Sequence, residues 1–300
     1  MKARSLITLL AAALTGAALL AACAPGAAVL SPPTFRLNAA DSGFIRIDPP
    51  GVGDGSALFR LALTVENPNP VGVRLAGLDG DLYLRDARAA SSSFRGGIDL
   101  PARATAPLVL DVKVPLGAAP ILLDVIANFV AGNPIQYRFD AAVTIDVLGA
   151  PQRFPAFTLA RGELSRPAGL AAPQFVLTGT ELRFEAVDRV RLSLRAELTN
   201  PGLIGYLAEV PQATLSVGGA AAATVALAPV QVPGGGTVPV AIEFTFAPLS
   251  LGAAIAAQVQ AASVGVGGLS LQVNGAWRLD APGIATTTLG ATTILRDALR

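Results

Sequence analysis

The sequence has no histidine, one cysteine and one tryptophan among its 300 residues. Without histidine, a Ser-His-Asp triad and a Cys-His dyad are both impossible, and so is a zinc site rich in histidine or cysteine. A single cysteine has no partner for an intramolecular disulfide. The net charge is only +1, so the basic excess that indicates nucleic-acid binding is absent.

Charged residues are also scarce, at 14% of the chain against about 25% in ordinary soluble proteins. Hydrophobic residues make up 52%, which is enough for packed cores and excludes a disordered chain. Glycine (31 residues) and proline (23 residues) are frequent, and this balance favours many short strands and turns. A chain of 300 residues has room for about two domains.

The N-terminus has the pattern of a secretory signal. Lys2 and Arg4 precede an apolar run over Leu6–Leu20, and Leu20-Ala21-Ala22-Cys23 follows. This order of charged, apolar and small residues predicts a signal peptide over residues 1–22. The last four positions resemble a bacterial lipobox, so we expect Cys23 to be lipidated and residues 23–32 to form a tether.

The alternative is an uncleaved membrane helix over Leu6–Val29. Pro25 and Gly26 argue against it, because they interrupt a continuing helix. The expected partner is therefore a membrane, reached through an N-terminal lipid anchor, and the expected location is extracytoplasmic in the cell envelope. Ala24 replaces the Asp that commonly retains lipoproteins in the inner membrane, which favours the outer membrane in a diderm bacterium.

The rest of the chain has the pattern of an internal repeat of two similar units. Arg60–Glu66 resembles Arg191–Glu197, and Asn69-Pro70 falls on Asn200-Pro201 at the same offset of 131. The order of further matches is constant, which predicts a duplication. We expect domains over residues 33–163 and 173–300, joined by a linker over residues 164–172.

Each unit has mainly strand patterns. Leu61, Leu63 and Val65 alternate with polar or small residues, and this period of two predicts strands with one buried face. One segment per unit has helical spacing instead, Ala119–Ala131 and Ser250–Ser263, with Ser250 as a candidate N-cap. Each helix is expected to close one end of a sandwich.

The pentapeptide Glu66–Pro70, in which Asn67, Pro68 and Asn69 stand together, is the most specific local motif. Asparagine bonds nearby main chain and proline restricts φ, so the motif predicts a turn after a strand. It resembles the NPN motif of the WHy (water stress and hypersensitive response) domain of late embryogenesis abundant (LEA) type 2 proteins. The second unit retains only Asn200 and Pro201 of this motif.

The resemblance implies an all-β fold made of two tandem immunoglobulin- or fibronectin III-like β-sandwiches, each with one short helix. It also implies a non-enzymatic protein that protects against desiccation or freezing, by limiting the inactivation or aggregation of partially unfolded client proteins or by stabilising the envelope. No cofactor is expected. The motif asparagines are interpreted as structural, because asparagine and proline provide neither a nucleophile nor a general base.

Other residues offer weaker site candidates. Asp79 and Asp81 flank a glycine and could approach a cation, although no EF-hand spacing follows and a polar turn is the alternative. Glu66 and Glu197 are a candidate carboxylate pair, interpreted as surface or turn residues. Two further hypotheses remain open: an envelope scaffold that docks a specific protein through its β-sandwich edges, and a carrier of a small apolar ligand.

Overall fold

The computed structural model describes residues 30–118, 120–164, 169–266 and 268–299. The predicted signal peptide, Cys23 and the first part of the tether lie outside the described residues, as do residues 165–168 of the predicted linker. No helix within the described ranges has the length and hydropathy needed to cross a membrane.

The N-terminal half, residues 30–164, consists of nine strands and one α-helix. In chain order these are β1 (Thr34–Leu37), β2 (Gly43–Ile47), β3 (Ser56–Glu66), β4 (Val73–Leu84), β5 (Ala87–Phe94), β6 (Ile98–Leu100), β7 (Thr105–Pro115), α1 (Pro120–Val130), β8 (Ile135–Val147) and β9 (Ala150–Leu164). Short 3₁₀ turns lie at Ala39–Asp41 and Leu116–Ala118.

These strands form two antiparallel sheets. In the first, β3 is central: β1 and β2 pair with one of its edges and β7 with the other. In the second, β4 pairs with β5 and β6 on one edge and with β8 on the other, and β9 pairs with β8. Buried and exposed residues alternate along β7 and β8, so each sheet turns one apolar face to the core between the sheets.

The C-terminal half, residues 169–299, repeats this arrangement. Its elements are β10 (Gln174–Ala186), β11 (Arg189–Thr199), β12 (Tyr206–Val217), β13 (Ala220–Val232), β14 (Thr237–Phe246), α2 (Ala253–Ser263), β15 (Leu269–Gly275), β16 (Arg278–Ala281), β17 (Ala285–Thr288) and β18 (Thr292–Leu299). A 3₁₀ turn at Pro248–Leu251 precedes α2.

The strand orders of the two halves correspond. In one sheet β11 lies between β10 and β14, and in the other β12 lies between β13 and the broken pair β15 and β16, to which β18 and β17 add. No sheet takes strands from both halves within the described residues. The expectation of a mainly β fold with two sandwiches and one short α-helix in each is confirmed.

Local predictions are confirmed with small changes. Leu61, Leu63 and Val65 are buried on one face of β3 as the alternation predicted, and both helices are present within a few residues of their expected ranges. Ser250 is not an N-cap. It lies in the 3₁₀ turn, where its hydroxyl donates to the carbonyl of Ala247, and Gly252 occupies the N-cap position of α2.

Each half has two distinct ends. At the end called the base, the chain crosses from one sheet to the other, through residues 67–72 and 101–104 in the N-terminal half and residues 200–205 and 233–236 in the C-terminal half. At the opposite end, called the cap, lies the helix that follows β7 or β14.

Candidate functional site

Asn67 connects two crossings at the base of the N-terminal half. Its side chain is fully buried, and its Nδ2 lies 2.8 Å from the carbonyl oxygen of Val71. The same nitrogen lies 3.1 Å from the carbonyl oxygen of Leu100 and 3.0 Å from that of Pro101. Its Oδ1 accepts a hydrogen bond from the main-chain N–H of Asn69 at 3.0 Å. One carboxamide therefore joins the β3–β4 crossing to the β6–β7 crossing.

Asn200 makes the same connection at the base of the C-terminal half. It is fully buried, and its Nδ2 lies 2.7 Å from the carbonyl oxygen of Ile204 and 3.3 Å from that of Pro233. Its Oδ1 accepts from the main-chain N–H of Gly202 at 2.9 Å. Position by position, Asn200 is the counterpart of Asn67, and the exposed prolines Pro68 and Pro201 follow them.

The alignment of Asn69 with Asn200 at an offset of 131 is therefore wrong, because the hydrogen bonds pair Asn67 with Asn200. A slip of two residues along a strand keeps every side chain on its own face, so the alternating pattern could not reveal it. The same correction separates Glu66 from Glu197, because the counterpart of Glu66 is Thr199. Glu66 instead forms an exposed ion pair with Arg36 at 3.4 Å.

Asn69, unlike Asn67, binds the segment of chain that leads into β1. Its side chain is only 3% exposed. Its Oδ1 accepts from the main-chain N–H of Ser31 at 2.9 Å, and its Nδ2 donates to the carbonyl of Ser31 at 2.9 Å. This pair of bonds replaces the two that a neighbouring strand would make. Ser31 belongs to the predicted tether, so Asn69 holds the tether's last residues to the base.

The C-terminal half lacks this clamp. Gly202 is the counterpart of Asn69, and a Cβ built on Gly202 would lie 2.9 Å from the Cβ of Ala171. The entering chain thus passes the same place closely, but no side-chain amide holds it. In the N-terminal half the full motif holds the chain that enters β1 at the base.

Asp79 and Asp81 point outward from β4, and each forms ion pairs with arginine side chains. Asp79 pairs with Arg95 and, at 3.3 Å, with Arg153, while Asp81 pairs with Arg88 at 2.8 Å. Hydrogen bonds from these guanidinium groups lower the pKa of both carboxyls. Among the described residues, no three Asp, Glu, His or Cys side chains are grouped so that they could hold a metal ion.

Gly80 stands between these aspartates for a packing reason. A Cβ built on Gly80 would lie 2.6 Å from Cζ of Phe139 and 2.6 Å from the Cβ of Ala141. Phe139 of β8 is fully buried and occupies the space that a side chain at position 80 would need. The spacing of the two aspartates therefore reflects core packing beside a polar sheet face.

The two halves meet at a joint that the sequence did not indicate. Ile47 forms a parallel bridge with Ile204: the N–H of Ile47 donates to the carbonyl of Leu203 at 2.8 Å, and the N–H of Gly205 donates to the carbonyl of Ile47 at 2.7 Å. The cap end of the N-terminal half thereby contacts the base of the C-terminal half.

Asp48 is at the centre of this joint and is 1% exposed. Its Oδ1 accepts a hydrogen bond from the main-chain N–H of Gly234 at 2.9 Å, and its Oδ2 forms an ion pair with Nε of Arg46 at 3.0 Å. Burial raises the pKa of Asp48, although the Gly234 bond and the charge of Arg46 oppose the shift.

Glycines allow the close approach at the joint. A Cβ built on Gly205 would lie 2.6 Å from Oδ1 of Asp48, and one built on Gly234 would lie 2.1 Å from the carbonyl oxygen of Leu203. A side chain at position 205 would push the halves apart, whereas one at position 234 would collide with the main chain of Leu203 within the base of the C-terminal half. The sequence could not show this role, because a turn glycine and an interface glycine look alike there.

Replacing Asn67 by alanine should destabilise the N-terminal half by about 3 kcal/mol, because buried acceptors left without a donor cost about 1–3 kcal/mol each. Asn69→Gly, which copies the C-terminal half, should cost only about 1 kcal/mol and act locally. Chemical denaturation measures the first effect. Hydrogen exchange of the β1 amides measures the second, which should rise in Asn69→Gly with global unfolding nearly unchanged. Equal losses in the two variants would contradict these separate roles.

Asp48 should make the joint depend on pH. Because its pKa is raised when the halves are docked, the docked state binds the proton more tightly than separated halves do. The contribution of Asp48 is then fully present below the ordinary carboxyl pKa of about 3.9 and is lost as the pH rises through the raised value.

Asp48→Asn retains an acceptor for Gly234 without a buried charge, so its joint should be as stable at pH 7 as that of the wild type at acidic pH. Asp48→Ala should loosen the joint at every pH. Proteolysis within the linker and the separation of two thermal transitions report the joint directly. A joint that weakens equally in both variants would show that the charge itself holds the halves together.

Comparison with known proteins identifies one family. The sequence profile described as "Late embryogenesis abundant protein" (LEA_2) matches residues 62–155. A search of curated proteins finds no match.

Among solved structures, a protein from Archaeoglobus fulgidus is 12% identical with a TM-score of 0.29, covering 46% of this chain and 97% of that one. Red sea bream transglutaminase is 14% identical with a TM-score of 0.27, and the match covers 87% of this chain but only 31% of the transglutaminase. The Salmonella enterica SafA pilin with the SafB chaperone is 14% identical, with a TM-score of 0.20 and coverage of 87% and 96%.

These structural likenesses are too low to bear on function. The family match is different in kind, because residues 62–155 include Asn67, Pro68 and Asn69, whose side-chain and turn roles are described above. It shows that residues 62–155, within the N-terminal half, are similar to the LEA type 2 family.

Proposed function

We propose that this chain is a bacterial lipoprotein with two tandem LEA type 2 domains, residues 33–163 and 173–300, which protects other proteins during water loss. The family match over residues 62–155 is the observation that carries the proposal, since it supports a stress-related protein of the LEA type. The matching strand order and the equivalent bonds of Asn67 and Asn200 support the duplication.

A protective role without catalysis suits the side chains that were candidates for a functional site. The side-chain amides of Asn67 and Asn200 are hydrogen-bonded to the main chain, and the carboxylates of Asp79 and Asp81 form ion pairs with arginines. Because LEA type 2 proteins are generally non-enzymatic, a physical mode of action is the simplest reading: the protein contacts partially unfolded clients and limits their association.

The arrangement of the halves suits a tethered protectant. Asn69 binds Ser31 at the base of the N-terminal half, so a lipid on Cys23 would hold this base close to the membrane. The joint at Asp48 adds the C-terminal half at the opposite end. The cap of the C-terminal half is then the part of the chain farthest from the anchor.

The scaffold alternative relies on sheet edges and is less well supported. Pro107 in β7, Pro155 in β9, Pro229 in β13 and Pro239 in β14 all lie on edge strands. Proline has no N–H to offer an added strand and is typical of edges protected against pairing. A scaffold that captures a partner by strand addition would be restricted to edge strands without proline, such as β5 and β10.

Lipidation is tested with the substitution Cys23→Ser, which replaces the thiol sulfur by a hydroxyl oxygen. In cells that express the full chain, the wild type should incorporate labelled fatty acid and fractionate with membranes, whereas Cys23→Ser should do neither. Recovery of unlabelled wild-type protein from the soluble fraction would contradict the anchor.

The protective role is tested with the soluble form, residues 24–300. A labile enzyme dried or frozen with it should retain clearly more activity than with an equal mass of albumin. Heat-denatured soluble form serves as a second control, because protection by a folded surface should be lost with the fold. Recovery no better than with albumin would contradict the proposed function, and capture of one stoichiometric partner would then favour the scaffold.

A further inference from the structure

The turn between β8 and β9 has an unusual residue at its tip. Leu148 and Gly149 form this two-residue connection, with φ values of 54° and 86°. Asparagine, aspartate and glycine are typical of such left-handed positions, whereas leucine adopts them only under strain. The side chain of Leu148 is also fully exposed. A strained leucine without packing contacts of its own points to a role outside the fold of this half.

Leu148 belongs to the base of the N-terminal half. Arg74 of β4 pairs with Asp146 of β8, which places the turn at the end where β4 begins. There Leu148 borders a shallow hollow together with Gly72 and Pro101. Val71, which precedes Gly72, is a second aliphatic side chain at this end and is 45% exposed. Two aliphatic side chains therefore protrude from the base, beside the crossings that Asn67 ties together.

The chain that leads to the predicted anchor also leaves the protein at this base. Asn69 binds both the main-chain N–H and the carbonyl of Ser31. Eight residues separate Ser31 from Cys23, and a chain of that length reaches at most about 28 Å. A lipid on Cys23 would therefore keep the base within this distance of the bilayer. The bilayer is the surface that the chain itself brings to Leu148 and Val71.

The second unit shows how the equivalent turn looks where protein covers it. At the base of the C-terminal half, the turn between β16 and β17 contains Gly283 and Ile284. A Cβ built on Gly283 would lie 3.4 Å from Cδ1 of Leu123 in α1, so this turn lies against the N-terminal half. Ile284 is half-buried against the core. The fully exposed leucine thus occurs at the base from which the tether emerges, and not at the base that meets the other half.

The charges around the two aliphatic side chains cancel. Three arginines and three acids stand in the crossings and at the adjoining strand ends: Arg36, Arg74, Arg103, Glu66, Asp99 and Asp146. Arg36 pairs with Glu66 at 3.4 Å, and Arg74 with Asp99 at 3.8 Å. The base therefore has no net charge with which to select anionic headgroups, and these hydrated groups suit the headgroup level. Contact with the acyl boundary is left to the protruding apolar tip.

We propose that Leu148 and Val71 contact the bilayer surface, so that the anchored protein stands on the base of its N-terminal half. The inference rests on the proposed lipid anchor and adds the orientation of the protein to it. Two aliphatic side chains bind a bilayer only weakly by themselves, because they bury little apolar area. A lipid on Cys23 makes the contact intramolecular, and the resulting effective concentration allows a weak contact to persist.

The test uses the mature chain, residues 23–300, with Cys23 coupled to a maleimide phospholipid in phosphatidylcholine vesicles. Leu148→Trp reports contact at the base. Val264→Trp is the matched control, because Val264 is 72% exposed beyond α2, in the cap of the C-terminal half. The wild type, whose one tryptophan is Trp277, provides the baseline.

Brominated phosphatidylcholine should quench the added tryptophan of Leu148→Trp roughly threefold more than that of Val264→Trp, since quenching requires contact with the acyl boundary. Equal quenching in the two variants, or no quenching above the baseline in Leu148→Trp, overturns the proposal.

A second variant removes the leucine without harming the turn. Asparagine is favoured at left-handed positions, so Leu148→Asn should unfold at the same temperature as the wild type or higher. In a chain with Val71→Trp as the probe, Leu148→Asn should lower the quenching by brominated lipid, whereas Val264→Asn should leave it unchanged. Unchanged quenching in Leu148→Asn contradicts the role of Leu148.

Lipid composition and oligomeric state test the occupant of the base. Replacing half of the phosphatidylcholine by phosphatidylglycerol should not change the quenching, because the charges of the base cancel. Quenching that requires the anionic lipid would replace the aliphatic contact by an electrostatic one and overturn the proposal. A dimer of the soluble form in the ultracentrifuge that Leu148→Asn dissociates would make a second copy the occupant instead.

The chemical coupling separates this inference from the proposed function. If cells do not lipidate Cys23, the proposed anchor fails, whereas the coupled chain still reports whether the base contacts the bilayer. If the wild type is lipidated and protects a dried enzyme, but Leu148→Trp is not quenched, the proposed function stands and the orientation is wrong.

Discussion

The buried carboxamides of Asn67 and Asn200 are the interaction on which both sandwiches depend. A sandwich of antiparallel sheets must pass its chain from one sheet to the other, and each passage exposes main-chain groups in an apolar interior. In each half one asparagine satisfies carbonyls from both crossings at the base. The strands beyond can then pair in register, so the core forms between two sheets whose ends are already tied.

The second asparagine of the motif and the joint determine how the halves are placed. Asn69 binds the main chain of Ser31, which keeps the entering chain at the base of the N-terminal half. Asp48, with Gly205 and Gly234 beside it, attaches the next base to the other end. The cap of the N-terminal half therefore contacts the base of the C-terminal half.

Much of the fold could be predicted from the sequence, and the failures have physical reasons. Alternation located β3, and helical spacing located α1 and α2, because burial on one face imposes these periods. The repeat offset was wrong by two residues because shifting a strand by two positions leaves its alternation of buried and exposed residues unchanged. Asp48 was missed because no local pattern distinguishes a buried acid from a surface one, and its role at the joint depends on Gly234, which is 186 residues away in the sequence.

The most direct test of two equivalent units joined in line is small-angle X-ray scattering of residues 24–300. A joint built from the Ile47–Ile204 bridge and Asp48 predicts a single elongated particle whose maximum dimension stays constant from low to high salt, since the contacts are mainly main-chain bonds. A broad distance distribution that changes with salt, as two sandwiches on a flexible linker would give, would contradict the joint.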